Sequence, residues 1–287
     1  MGILAQTVLE RLREQPETVD QFELLRALWQ MLQERHLLVY LKEPTAASWL
    51  RTQSWDGALR PTEGDYLMVV DANLGFNKVN PHIERRLEYR VALDTQGSAQ
   101  AGLSLGYRHT RPANGERCNH RATYSRGERV TYESLMEGCY WNYLRVYVPR
   151  GSHVRAASRH PTPAEYLLRG VAAAGEAEIL PSELGKDVLA QFFVVERGGA
   201  LTTRFEYDLP RVAQLSESNE GQWRYTLLIQ KQPGTGSTPV SLTIALPPGA
   251  ELLAATPPPH IVDGEALTFD LGLDTDVIVE VMYEYGQ

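Results

Sequence analysis

The densest group of potential ligand atoms in this sequence directly follows the apolar run from Tyr66 to Val70. The group consists of one carboxylate, three amides and one ammonium group, which belong to Asp71, Asn73, Asn77, Lys78 and Asn80. Oxygen ligands at alternating positions are typical of calcium-binding loops. The match to such a loop is poor, because the glycine is the fifth residue instead of the sixth and His82 replaces the final glutamate.

Three interpretations of this cluster follow from its chemistry. A single carboxylate would hold a divalent ion weakly, so we assign no metal site. A second interpretation makes the cluster an edge that faces a ligand or substrate. The third is a structural network, because Asn and Asp side chains commonly satisfy the backbone amides of turns and Lys78 can pair with Asp71.

One section of the chain carries its positive charge entirely on arginine. Residues 85–160 contain 13 arginines, no lysine and six acidic residues, a local charge of +7 in a chain whose formal net charge is -8. Planar guanidinium groups suit carboxylates and phosphates, so Arg108, Arg117 and Arg121 could form an anion-binding surface beside the Asp71 cluster. The other interpretation is that these arginines are solvated or pair within the chain.

Cys118 and Cys139 are the only cysteines, and their spacing leaves three states open. In an exported protein they would form one disulfide that closes the arginine-rich loop, which is the state we predict. Reduced thiols are the second state. A zinc site completed by His109 and His120 is the third, although it lacks the short paired spacing of known zinc sites.

Sequence motifs for catalysis are otherwise lacking. There is no Gly-rich phosphate loop ending in Lys-Ser/Thr, no His-Glu-x-x-His motif and no Rossmann fingerprint. The pattern Gly-x-Ser-x-Gly occurs at residues 102–106, but it lies inside the second predicted strand of the hairpin and not at the strand-to-helix turn that a nucleophile elbow requires. Around Ser152, the two glycine positions of an elbow are occupied by Arg150 and Val154. We therefore predict no catalytic residue and no cofactor.

Composition places the chain among soluble globular proteins. It has 287 residues, of which 43% are hydrophobic and 22% charged, enough for two or three domains. No stretch approaches the roughly 20 consecutive apolar residues of a transmembrane helix. The negative net charge argues against nucleic acid as a partner, because phosphate contacts need a basic surface.

Hydrophobic periodicity predicts helices first and strands afterwards. Helical spacing covers two N-terminal segments, with Thr18 and Gln21 spaced as a capping box, and Pro44 can start a further short helix. Residues 37–41 are predicted to be a short strand. From Tyr66 the period changes to two, and residues 87–107 indicate a long hairpin.

Six further strands are predicted after a Pro- and Ala/Gly-rich connector at residues 159–187. They cover residues 188–196, 201–208, 223–232, 240–246, 267–271 and 277–285. We predict a β-rich α+β fold in three parts. The parts are a helical segment at 1–60, a mixed β domain with the arginine-rich loop at 61–165 and an antiparallel β-sandwich at 166–287.

Three ordered motifs resemble the C-terminal half of the bacterial domain of unknown function 4012 family. They are Asp65-Tyr-Leu-Met-Val-Val-Asp-Ala-Asn-Leu-Gly-Phe-Asn-Lys-Val-Asn80, Tyr140-Trp-Asn-Tyr-Leu-Arg-Val-Tyr-Val-Pro-Arg-Gly-Ser152 and Leu228-Ile-Gln-Lys-Gln-Pro-Gly-Thr235. The resemblance extends from about Leu32 to the end of the chain. Family members look like membrane-anchored envelope proteins with an N-terminal anchor and a region distantly similar to LytR-CpsA-Psr transferases. Neither feature is expected in this sequence.

The resemblance implies an extracytoplasmic or cell-surface module of a membrane-anchored protein. Our main hypothesis is a non-catalytic envelope module for surface assembly, adhesion or polymer binding, with an anionic envelope polymer or another envelope protein as partner. The alternative is an accessory part of an enzyme that binds or transfers anionic envelope polymers through the Asp71 cluster and the arginines. A purely structural module is the third hypothesis, and it requires neither site.

Overall fold

The computed structural model of this chain contains two compact units. One comprises residues 1–58 with 233–235, and the other comprises residues 59–232 with 236–287. The structure describes residues 6, 7, 10, 13, 14, 20–115, 117–119, 131–216 and 221–285. Among these residues, no helix is long and apolar enough to cross a membrane.

Within the range 20–58 of the first unit, the structure has the helices α1 (Gln21–Gln33) and α2 (Pro44–Thr52); the described residues before 20 are also helical. Asp20 caps α1 by accepting hydrogen bonds from the first-turn amides, while the predicted capping residue Thr18 lies outside the described residues. The carboxylate of Glu43 caps α2 in the same way, with Pro44 in the first turn, where its missing N–H costs nothing.

Three tryptophans join the helices of this unit to the segment that follows them. Trp55 is buried, and the rings of Trp29 and Trp49 meet it edge-on at centroid distances of 5.2 and 5.4 Å. The predicted strand at residues 37–41 is wrong. That segment is irregular: the Leu37 amide donates to the Met31 carbonyl of α1 and the Val39 amide donates to the Trp55 carbonyl, and neither bond belongs to a strand pair.

In its described residues, the second unit has fifteen strands arranged in two sheets. The eight strands of the first sheet are β1 (Asp65–Asn73), β4 (Tyr140–Pro149), β6 (Glu178–Glu183), β7 (Lys186–Val195), β9 (Ala213–Leu215), β10 (Gln222–Gln230), β12 (Ala250–Thr256) and β15 (Val277–Tyr285). Their order across the sheet is β12-β15-β10-β1-β4-β7-β6, with β9 also paired to β10.

The second sheet has seven strands in the order β13-β14-β11-β2-β3-β8-β5. Their bounds are β2 (Ile83–Leu93), β3 (Ala99–His109), β5 (His153–Ala157), β8 (Ala200–Leu209), β11 (Pro239–Ala245), β13 (Ile261–Asp263) and β14 (Ala266–Gly272). A four-residue helix, α3 (Tyr132–Leu135), precedes β4. Short 3₁₀ turns occupy Asn80–His82 and Ala164–Tyr166.

Both sheets are mixed, since each contains one parallel pair. In the first sheet β1 runs parallel to β10, and in the second β2 runs parallel to β11, whereas the other pairings are antiparallel. Each sheet therefore contains strands from both predicted β domains, 61–165 and 166–287. Strands from before and after residue 165 therefore pair within each sheet. The strands after residue 165 do not form a purely antiparallel sandwich of their own, because β10 and β11 pair in parallel with β1 and β2. Alternation along single strands predicts strands but not their partners.

The predicted β-rich α+β class is confirmed. The predicted hairpin corresponds to β2 and β3, and the six predicted C-terminal strands correspond to β7, β8, β10, β11, β14 and β15. Alternating apolar side chains of both sheets form one core, in which Leu87, Val91, Leu105, Val146 and Leu227 are among the buried residues. Burial of these alternating faces is the main stabilising contribution.

Candidate binding site

Asp71 lies inside the second unit and joins the two sheets. One oxygen of its carboxylate accepts a hydrogen bond from the Arg85 guanidinium at 2.6 Å. The other oxygen accepts hydrogen bonds from the Tyr107 hydroxyl at 2.8 Å and the Asn142 amide at 2.6 Å. The side chains of Asp71 and Arg85 are only 11% and 9% exposed. Arg85, and not Lys78, is therefore the ion-pair partner of Asp71.

The remaining donors of Arg85 are satisfied as well. Its Nε and Nη2 atoms contact the Thr238 hydroxyl at 3.3 and 3.0 Å. Burial is the largest single effect and opposes the charge of this guanidinium, but the attraction and hydrogen bond of Asp71, together with the nearby Tyr107 and Tyr140, outweigh it and raise the pKa of Arg85. Burial and the neighbouring Asp71 also raise the pKa of Tyr107, which keeps its hydroxyl neutral and donating.

The amides of the cluster bind one another and the neighbouring loop. The Asn73 side-chain amide donates to the oxygens of Asn77 and Asn80 at 2.8 and 2.7 Å, and its own oxygen accepts from the Gly75 amide. Asn77 donates to the Cys139 carbonyl at 2.8 Å. This arrangement matches the structural interpretation of the cluster, in which side chains fix a turn.

Lys78 and the predicted arginines do not converge on Asp71. The Lys78 side chain is exposed, and its backbone amide donates to the Leu135 carbonyl at 2.7 Å. Arg108 pairs with Glu84 at 2.6 Å on the outer face of the second sheet, opposite the inward-facing Tyr107. Arg117 lies 3.6 Å from Glu165 at the surface, and Arg121 lies outside the described residues.

The predicted disulfide between Cys118 and Cys139 is confirmed. Both cysteines are buried against Trp141 in a small apolar cluster separate from the main core. The zinc interpretation fails at His109, whose Nδ1 accepts from the Arg111 amide at 3.2 Å and whose Nε2 then donates to the Gly138 carbonyl at 3.1 Å. Burial lowers the pKa of His109 and favours this neutral form.

We expect removal of the disulfide to lower the free energy of unfolding by about 3 kcal/mol, since the bond constrains a loop of some 20 residues in the unfolded chain. The change is the double substitution Cys118→Ser and Cys139→Ser, measured by urea denaturation. Wild-type protein in dithiothreitol should show a similar loss, whereas the double variant should not respond to reductant. Equal midpoints for oxidised and reduced wild type would contradict the prediction.

An open groove of about 680 Å³ lies on the outer face of the first sheet, close to the disulfide. Its lining is apolar apart from one arginine and consists of Leu74, Leu167, Leu168, Arg169, Val171 and Phe192. Leu74, Leu168 and Val171 are 46%, 66% and 67% exposed. Phe76, two residues after Leu74, is 68% exposed. Exposed apolar side chains grouped in this way mark interaction sites.

Two loops supply the walls of this groove. The first follows β1 and is fixed by the Asn73, Asn77 and Asn80 amides described above. Its close approach to β4 requires glycine at position 75, where a Cβ atom would lie 2.8 Å from the Trp141 ring. The polar cluster therefore positions Leu74 and Phe76, which sit between its amides in sequence.

The second loop runs from residue 162 to residue 173. Reciprocal backbone hydrogen bonds between Thr162 and Ala173, at 2.9 and 3.0 Å, close its base. The Trp141 indole donates to the Tyr166 carbonyl at 2.9 Å, which ties this loop to β4. Trp141 thus contacts both loops, and the groove is held by the same framework that contains the disulfide.

The groove was not predicted from the sequence, where the polar residues of the 71–80 segment are more prominent than the apolar ones. Leu74 and Phe76 stand in a turn rich in amides, where an apolar side chain has no strand face to bury. Apolar side chains in such a polar turn are the feature of the sequence that could have indicated an exposed apolar surface. Among the described residues, no group of three or more His, Cys, Asp or Glu side chains could hold a metal ion.

A second carboxylate, Asp65, is completely buried in the core between the sheets. It accepts hydrogen bonds from the hydroxyls of Tyr89 and Tyr225 at 2.9 and 2.7 Å and from the Tyr66 amide at 2.7 Å. Tyr207 extends the network by donating to the Tyr89 hydroxyl. Burial raises the pKa of Asp65 to about 6, although these hydrogen bonds act in the opposite direction. The group is enclosed and cannot reach a ligand.

The sequence matches no family model and no characterised protein. Among solved structures, the chain is similar to a putative nutrient binding protein from Legionella pneumophila, with a TM-score of 0.38 and 8% identity, covering 77% of this chain and 71% of that one. It is also similar to leukotriene A4 hydrolase from Saccharomyces cerevisiae (TM-score 0.38, 7% identity, 74% of this chain and 31% of that one). An M1 zinc metallopeptidase from Deinococcus radiodurans gives a TM-score of 0.31 at 9% identity, covering 78% and 43%. At scores this low, the likenesses carry no argument about function.

Proposed function

We propose that this chain is a non-catalytic, extracytoplasmic module of the cell envelope that binds a partner through its apolar groove. The observation that carries the proposal is the group of exposed apolar side chains that line the groove, Leu74, Leu168 and Val171, held on two braced loops. Exposed apolar surface costs free energy in water, so its coverage by a partner would be favourable.

The disulfide supports the location outside the cytoplasm. Disulfides persist in oxidising compartments and are rare in cytosolic proteins, where thiols are kept reduced. The bond between Cys118 and Cys139 also restrains the loop that precedes β4, next to the groove. A braced binding surface loses less conformational entropy when a partner docks.

The internal pairing of both buried carboxylates supports a scaffolding role for them. Asp71 is saturated by Arg85, Tyr107 and Asn142, and Asp65 is enclosed by tyrosines. The alternative hypothesis, an accessory part of a polymer-handling enzyme, places Asp71 and Arg108 on one binding surface. Asp71 instead faces the interior, while Arg108 faces outward and pairs with Glu84.

We expect Leu168→Asp to weaken retention of the purified chain on a cell-envelope fraction by about tenfold, the usual scale for loss of an apolar anchor. The added carboxylate would be desolvated beneath any partner that covers the groove. Retention is measured by co-sedimentation of labelled protein over a range of envelope concentrations.

The matched control is Leu184→Asp, which alters a leucine that is 79% exposed in the turn between β6 and β7. This control should bind like the wild type. If both variants bind equally well, the groove is not the binding surface. If binding instead disappears in Arg108→Ser with Arg117→Ser, the anionic-polymer alternative is favoured.

A further inference from the structure

We propose that the groove takes the hydrocarbon chain of a single anionic amphiphile, such as a long-chain carboxylate, and that Arg169 contacts its headgroup. The inference rests on the proposed binding role of the groove and adds the chemical class of the ligand.

The lining of the groove favours hydrocarbon over a polypeptide backbone. Apart from Arg169, the side chains that line it carry no hydrogen-bonding group. A peptide segment laid into the groove would lose water from its N–H and C=O groups and find no side-chain partner, which is unfavourable. An alkyl chain has no such groups to satisfy and gains from contact with Leu74, Leu168, Val171 and Phe192.

The charge at the groove comes from Arg169. Other exposed arginines have partners, since Arg117 lies 3.6 Å from Glu165 and Arg159 lies 2.8 Å from Glu176. Arg169 is exposed and makes no hydrogen bond or ion pair with any residue in the described part of the chain. Its planar guanidinium is suited to a carboxylate or phosphate.

The size of the groove suits one ligand molecule. Its volume of about 680 Å³ lies within the range of small-molecule sites, which is roughly 300 to 1,000 Å³. The exposed ion pair of Arg117 with Glu165, which belongs to the same loop as Leu167 and Leu168, favours water over a lipid surface. We therefore assign the groove to a monomeric amphiphile and not to a membrane.

The test is calorimetric titration of the full chain with dodecanoate below its micellar concentration, and with dodecanol as a probe of equal chain length without charge. Dodecanoate should bind the wild type, and Leu168→Asp should abolish binding of both probes. Arg169→Gln should weaken dodecanoate about tenfold or more while leaving dodecanol nearly unchanged, because it removes only the charge-assisted contact.

Matched controls are Arg150→Gln, at an exposed arginine in the turn after β4, and Leu184→Asp. Both should bind dodecanoate like the wild type, and circular dichroism should show that all four variants remain folded. Equal binding of dodecanoate to the wild type and to Leu168→Asp would overturn the proposal, as would binding to anionic vesicles without binding to dodecanoate. If envelope retention depends on Leu168 but dodecanoate does not bind, the ligand class is wrong and the proposed function stands.

Discussion

Replacing Asp71 with alanine is expected to lower the free energy of unfolding by about 3 to 5 kcal/mol, the scale found when one partner of a buried ion pair is removed. The variant would leave the Arg85 guanidinium, 9% exposed, without a counter-charge in the protein interior. It would also remove the acceptor for the Tyr107 hydroxyl and the Asn142 amide. Urea denaturation monitored by tryptophan fluorescence measures the change.

The matched control is Glu84→Ala, which removes the partner of Arg108 in an ion pair whose side chains are 64% and 59% exposed. We expect that loss to be about 1 kcal/mol or less, because solvent screens exposed pairs. Combining Asp71→Ala with Arg85→Met should recover part of the stability lost in Asp71→Ala, since the unpaired charge is removed. Similar losses for Asp71→Ala and Glu84→Ala would show that the interior pair is effectively solvated.

The second large effect is the pH dependence of stability that Asp65 produces. Its pKa is raised by burial from the ordinary value of 3.8 to about 6 in the folded chain. The folded state therefore holds this proton more tightly than the unfolded state. The stabilising contribution is fully present below about pH 4 and is lost as the pH rises through about 6, an amplitude of about 3 kcal/mol.

The substitution Asp65→Asn isolates this contribution. Asparagine keeps an oxygen acceptor for Tyr89 and Tyr225 but does not titrate, so the wild type should lose stability relative to the variant between about pH 4 and pH 7. The measurement is urea denaturation of both proteins at several pH values. Asp263→Asn, at an exposed carboxylate in β13, is the control and should leave the pH profile unchanged. A constant difference between wild type and Asp65→Asn over this range would contradict the assignment.

Lys186 limits the size of the Asp65 effect. Its ammonium group is buried, 4.0 Å above the Tyr66 ring, and its attraction lowers the pKa of Asp65. Burial in turn lowers the pKa of Lys186. We therefore expect Lys186→Met to raise the pKa of Asp65, because the variant removes a nearby positive charge. The pH range over which the wild type loses this stabilising contribution would move upward accordingly.

Much of the fold could be read from the sequence because period-two alternation is a local property of each strand. The spacing of Leu87, Tyr89 and Val91 located β2, and residues 277–285 located β15 with the correct ends. Short edge strands such as β13 were not predicted, because three residues are too few to show a period. The pairing of strands within the sheets was not predicted either, because alternation along β1 carries no information about its partner β10, more than 150 residues away.

The binding site was less predictable for a different reason. The sequence shows the amides around Asn77 as a polar cluster, and the disulfide could be predicted because Cys118 and Cys139 are the only two cysteines. The Asn77 amide also donates to the Cys139 carbonyl, 62 residues away in sequence, which only the folded chain brings within reach. The side chains that the cluster presents, Leu74 and Phe76, depend on those tertiary contacts.

The parallel pairing of β1 with β10 and of β2 with β11 has a consequence for how this polypeptide reaches its native state. The first strands to leave the ribosome lie in the middle of the sheets, with one side of each occupied by segments made much later. Until residues 222–245 are synthesised, β1 and β2 would each retain an unsatisfied edge that can recruit other chains. Non-local topology of this kind folds slowly and gives a chaperone time to engage the nascent polypeptide.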